Sequence, residues 1–206
     1  MKQNNETVWK ELLDGMLDDL LRFVFPDIEG RIDLQKGFEG MDVKFSSTEP
    51  DGATIQKPGL VYKLFRRKKR PGSVKPILFY VAIQEGFDAD FPKKMYRNYN
   101  QLCADYKLPV FSLAIMIGPD SEKIPDQYSK KDAFTELTFR YPVLRISSFT
   151  DDELQKSDNP ISIAFMAVRL NEDMQSPSPK KKEGFERFFR IVDMVESMQG
   201  RFPLRG

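Results

Sequence analysis

From Pro76 to Gly86 the chain reads PILFYVAIQEG, with Ile77, Phe79, Val81 and Ile83 alternating with Leu78, Tyr80, Ala82 and Gln84. Both sets are apolar except for Gln84, a pattern that predicts a strand buried on both faces in the middle of a sheet. Upstream, apolar residues from Val8 and Trp9 through Leu13, Leu17 and Leu21 to Phe25 recur at helical spacing. They predict a first helix over 7–25, stopped by Pro26. Short strands are expected over 31–34 and 40–45, followed by a loop over 46–59, where two prolines and two glycines cluster. A strand over 60–65 then runs through a basic turn containing Pro71-Gly72 into the strand from Pro76, which predicts a hairpin.

Downstream, Asp90 stands where an N-cap would be and Pro92 falls in the first turn of a second helix, with Phe91, Met95, Tyr99, Leu102 and Tyr106 at helical spacing. The segment 109–117, PVFSLAIMI, is a further buried strand. A strand, a helix and a strand with about 20 residues between the strands is what a parallel crossover requires. Edge strands are expected over 134–139 and 143–146. Thr150 to Glu153 fits a capping box opening a short helix, and 160–170 reads as a buried one. This order predicts an α/β domain over 1–172, with a central mixed β-sheet flanked by α-helices. A linker over 173–182 and a C-terminal helix and tail over 183–206 follow it.

Composition narrows the chemistry. Among 206 residues there are 32 basic and 31 acidic side chains, a net charge of +1, so any nucleic-acid surface has to be local. Histidine is absent and there is one cysteine, Cys103, which removes the usual general base and the commonest nitrogen ligand for zinc. Cys103 reads as a small buried hydrophobe. No apolar run approaches the ~20 residues of a membrane span and the N-terminus lacks a signal-peptide core, which predicts a cytoplasmic protein without membrane contact.

Three places carry candidate chemistry. Gln84 is a polar side chain at the carboxyl end of a buried strand, where open α/β sheets place their sites, or it marks the strand leaving the core. Arg66, Arg67, Lys68, Lys69 and Arg70 are consecutive cations, open to two readings: a solvated hairpin tip or a phosphate-contacting surface. Lys63, Lys75, Lys93 and Lys94 would extend the second. Asp18 and Asp19 beside the first helical stripe are a solvated face or, less simply, metal ligands.

The order of FEGMDVKF, GLVYKLF, YVAIQ, FPKKMYRNYNQLCADYKLPVFSLAIMI and DNPISIAFMAV resembles the recombination-promoting nuclease and transposase family of the PD-(D/E)XK superfamily. The resemblance spans roughly residues 7 to 195 and implies a restriction-endonuclease-like core, DNA as partner and magnesium as cofactor. It places the family's strand-opening aspartate at Gly59 and its Glu-x-Gln at Ala82-Ile83-Gln84, so two of three motif positions carry no ligand here. The histidine that often precedes that motif is Tyr80, and the usual Arg-Met of the next helix is Lys94-Met95.

Magnesium requires oxygen ligands, which glycine and alanine lack. Replacement acids would have to be Asp42, Asp19, Glu85, Asp88 or Asp90, with Glu85 out of phase with Gln84 and so pointing to the other face. The expectation is a catalytically impaired relative of a DNA endonuclease that keeps DNA binding. The alternatives are a protein-interaction module, paired with itself or with an active relative, and a nuclease with displaced acidic ligands. Natural loss and deliberate silencing at Gly59 and Ala82 read alike.

Overall fold

Five strands form the central sheet in the order β1-β2-β3-β4-β7, with β3 in the middle as its two-faced pattern requires. The computed structural model describes residues 2–48, 54–67, 74–118, 120–175, 187–192 and 194–195. The first elements are α1 (Lys2–Val24), β1 (Glu39–Thr48), β2 (Thr54–Arg67), β3 (Val74–Glu85), α2 (Phe91–Tyr106) and β4 (Val110–Ile117). After them come β5 (Gln127–Lys131), β6 (Glu136–Arg140), β7 (Val143–Arg145), α3 (Asp151–Lys156) and α4 (Ile161–Gln175). β1, β2 and β3 run antiparallel to their neighbours, whereas β3, β4 and β7 are parallel, so α2 is the crossover that the spacing predicts. Among the described residues no helix is long and apolar enough to cross a membrane.

The alternation in β3 becomes two cores. Ile77, Phe79 and Val81 pack with Leu13, Leu17 and Leu20 of α1 and with Phe165 of α4. Leu78 and Tyr80 pack on the other face with Phe91, Met95 and Leu102 of α2. At roughly 1.5–3 kcal/mol for each large apolar side chain removed from water, burial on both faces leaves the middle of β3 little able to tolerate a polar change.

Several expected boundaries shift. Residues 31–34 do not form a strand: Ile32 makes one isolated bridge to Arg66, and Leu34–Lys36 is a turn of 3-10 helix. β2 starts at Thr54, inside the expected loop, and pairs with β1 from Thr54 onward, Pro58 opposite Lys44. There β2 has a ladder on one side only, a place where a residue without an N–H is tolerated. β5 and β6 form a separate two-stranded hairpin, so only β7 of the expected edge strands joins the main sheet. Asp90 occupies the N-cap of α2 without capping it through its side chain; Asp88 instead accepts from the Asp90 N–H at 2.9 Å. The Thr150 capping box is formed as expected, its hydroxyl accepting from Glu153 N–H and the Glu153 carboxylate from Thr150 N–H.

Most of the expected linker lies outside the described residues. Beyond it, residues 187–192 and 194–195 are helical and dock on the body. Arg187 Nε donates to both Asp151 carboxylate oxygens at 3.0 and 2.9 Å, Arg169 meets the same carboxylate at 3.1 Å, and Met194 is buried in the α1/α4 core.

Candidate functional site

The sheet forks at the carboxyl end of β3. The β2–β3 ladder ends at Leu60 opposite Val81. Beyond it β2 continues against β1 alone, through Gly59 opposite Val43 to Thr54, while Ala82 to Glu85 of β3 continue against β4. Gly59 and Ala82 are thus the first residues past the last paired rung, one on each lip of the fork. Being next to a directly opposed pair, they share a sheet face, the one covered by α2.

A cleft of about 880 Å³ opens at this fork. Its lining carries half-buried apolar side chains from both sheet faces, Met41 and Ala82 on the α2 face and Leu60 and Ile83 on the α1 face. Lys10 of α1, Lys57 of β2, and Lys94 and Arg97 of α2 line it, and Asp42 is the one carboxylate among the lining residues. Lys94 donates to Asp88 at 2.7 Å and Lys10 to Asp14 at 2.7 Å. Both pairs are solvent-exposed and therefore weak, so an incoming phosphate competes for these cations readily. Arg97 is exposed and has no ion pair among the described residues.

Gly59 offers more than the absence of a ligand. A Cβ built there would lie 2.3 Å from Phe45 Cε2, because the Phe45 ring is laid over the glycine. That ring packs edge-on against Tyr80, centroids 5.1 Å apart, and both side chains are 5% exposed. Tyr80 accepts at its hydroxyl from Asn98 Nδ2 at 2.8 Å. Gln84 turns its amide back on the chain, Nε2 donating to Glu85 O at 2.9 Å and Gly86 O at 3.3 Å.

The candidate replacement acids do not assemble. Asp19 lies roughly 13 Å further along α1 than Lys10, at the helical rise of 1.5 Å per residue. It sits beside Arg22 and Asn159, where burial raises its pKa. Glu85 is paired by register with Ile117 and interacts with Glu172 of α4, on the face away from Gln84. Asp88 is engaged with Lys94. Asp90 is exposed at the N-cap of α2, and Asp42, opposite Leu60 in the ladder, lies on the other sheet face from Gln84, so the described acids form no donor set that fits a magnesium ion. Among the described residues no group of three potential ligands is found.

The basic tip is a different place. Arg66 and Arg67 stand roughly 25 Å from Gly59 along β2 at the ~3.3 Å strand rise, so they and Lys94 do not form one surface. Arg67 is engaged in holding the chain after α1: it donates to Ile32 O at 3.3 Å and to Asp33 at 3.3 Å. Lys68, Lys69 and Arg70 lie outside the described residues. Sequence reading missed Arg97, Lys57 and Asn98. Arg97 was within reach, lying one helical turn after Lys93 and Lys94, whereas Lys57 was hidden in a segment read as loop.

In comparison with known proteins, the chain matches no family model, no curated protein and no solved structure.

Proposed function

We propose that the chain is a catalytically impaired relative of metal-dependent DNA endonucleases with a restriction-endonuclease-like core, and that it retains DNA binding in the cleft. The fork carries this reading: it brings Gly59, Ala82 and Gln84, the three motif positions of the resemblance, to one opening. Among the described residues, that opening has four cationic side chains, Lys10, Lys57, Lys94 and Arg97, and one carboxylate, Asp42. The order helix, three antiparallel strands, helix, parallel strand supports it. A site with cations in place and metal-binding carboxylates lost can hold a phosphate backbone and cannot activate water on magnesium.

The test is binding of mixed-sequence DNA titrated against salt. Affinity should fall steeply with ionic strength, and Arg97→Glu should weaken binding and lessen the salt slope by about one. Arg66→Glu, at the other end of β2, should leave both nearly unchanged. A flat salt response overturns the reading; sensitivity to Arg66 with indifference to Arg97 moves the surface to the hairpin tip.

One observation favours the alternative, a protein-interaction module that pairs with itself or with an active relative. Phe188, Phe189 and Val195 of the C-terminal helix are exposed. Such a module would bind no DNA and would associate through this helix. The third reading, a nuclease with displaced ligands, has only Asp42 in the cleft to support it.

A further inference from the structure

Replacing two metal-binding carboxylates by glycine and alanine leaves an apolar surface where an ion would have been held. Met41 and Ala82 are half-buried there on the α2 face and open to the cleft. A double-stranded phosphate backbone would use the cationic rim and leave that floor uncovered. The volume, about 880 Å³, is that of a site for an organic molecule and far exceeds what a hydrated ion needs.

Asn98 supplies a second, independent sign. It lines the cleft and spends its Nδ2 on Tyr80, while its Oδ1 is buried without a hydrogen-bond partner. With the amide turned toward the cleft, a partner that brings an N–H to this oxygen would satisfy it. A flat ring with N–H groups on its edge, joined to a phosphate, satisfies all three features at once. We propose that the cleft takes an unpaired nucleotide of a DNA strand, its phosphates at Lys94 and Arg97, its base over Met41 and Ala82 on the α2 face of the sheet, and its edge at Asn98. This rests on the nucleic-acid reading of the cleft and adds a preference for unpaired over duplex DNA.

The experiment uses the full chain and a fluorescein-labelled mixed-sequence oligonucleotide, single-stranded or annealed to its complement, followed by anisotropy. The single strand should bind roughly tenfold more tightly than the duplex, the scale of one base removed from water onto a protein surface. Ala82→Leu, which fills the floor without touching the charges, should abolish that preference and leave the salt slope alone. Arg97→Glu should weaken both forms. On the unaltered chain, photocrosslinking with 5-iodouracil in the strand should map to peptides containing Met41 or Ala82, which keeps the proposal testable even if Ala82→Leu misfolds. Equal binding of both forms, with Arg97→Glu weakening each, overturns the base site and leaves the DNA reading standing. If neither form binds, both fall. Competition by free deoxynucleoside monophosphate at concentrations that displace the strand would assign the site to a soluble nucleotide and overturn the strand as its occupant.

Discussion

Phe45 covers Gly59: its Cε2 atom lies 2.3 Å from where a side chain on that glycine would begin, and the ring completes the wall by packing on Tyr80. Phe45 sits diagonally across the β1–β2 ladder from Gly59, within reach for an aromatic side chain. Gly59→Ala should therefore destabilise the fold by about 1–3 kcal/mol through overpacking, measured by urea unfolding. Phe45→Leu made alongside should recover part of that loss, because the two changes share one space. An additive pair would mean that the ring swings away at no cost.

On the proposed impaired-nuclease reading, the same contact governs whether cleavage can be introduced. Gly59→Asp with Ala82→Glu supplies the carboxylates that reading calls for, yet the aspartate has to enter the volume held by the Phe45 ring. The double variant should stay inert on supercoiled plasmid with magnesium. Adding Phe45→Ala should bring metal-dependent nicking, with each single change doing little, since one carboxylate holds the ion weakly. Robust cleavage by the unaltered chain would refute the impaired-enzyme reading and turn attention to Asp42.

How far the sequence spoke follows from which interactions are local. β3, α2, β4 and the Thr150 cap were legible because alternation, helical spacing and capping act over a few residues. The first half of β2 was not, since Pro58 and Gly59 are breakers by local rule and are admitted here by a one-sided ladder and a covering ring from another strand. Gly59 and Ala82 were singled out together by the family resemblance rather than by any local pattern. The fork between them depends on which partner each strand keeps beyond Leu60 and Val81, a tertiary choice that no local pattern encodes. The hairpin tip drew attention by charge density, while the cations that reach the cleft are scattered over α1, β2 and α2.

The helix after the linker is bound to the body and should behave as part of it. Met194 is 3% exposed among the residues of the α1/α4 core. Met194→Ala should cost about 2–4 kcal/mol in urea unfolding, within the range for buried methionine. Asp151→Ala should also destabilise, because it strips the shared partner from Arg169 and Arg187, whose side chains are only 16% and 11% exposed. A Met194 variant as stable as the parent would show that this helix adds nothing to the fold.

Asp18 gives the molecule a pH dependence whose sign can be worked out. Its Oδ1 is buried without a hydrogen-bond partner, and its pKa is raised from the ordinary 3.8, first by burial, with Arg22 opposing and Glu29 adding to the rise. A carboxyl whose folded value lies above its unfolded one favours the folded state while protonated. Its contribution is full below the unfolded pKa and is lost as pH rises through the folded one. At neutral pH the ionised Asp18 therefore opposes folding, and Asp18→Asn, which cannot ionise, should unfold at a higher urea concentration than the parent. That advantage should shrink as the buffer is acidified and vanish below pH of about 4, where aspartate is neutral in both states. Arg22 lies between Asp18, Asp19 and Glu29, so Asp19, raised for the same reason, should show the same trend when replaced by Asn. An Asp18→Asn variant that is less stable at neutral pH would mean that the attraction to Arg22 outweighs the burial of the carboxylate, whereas an advantage that persists at low pH would mean that it does not come from ionisation.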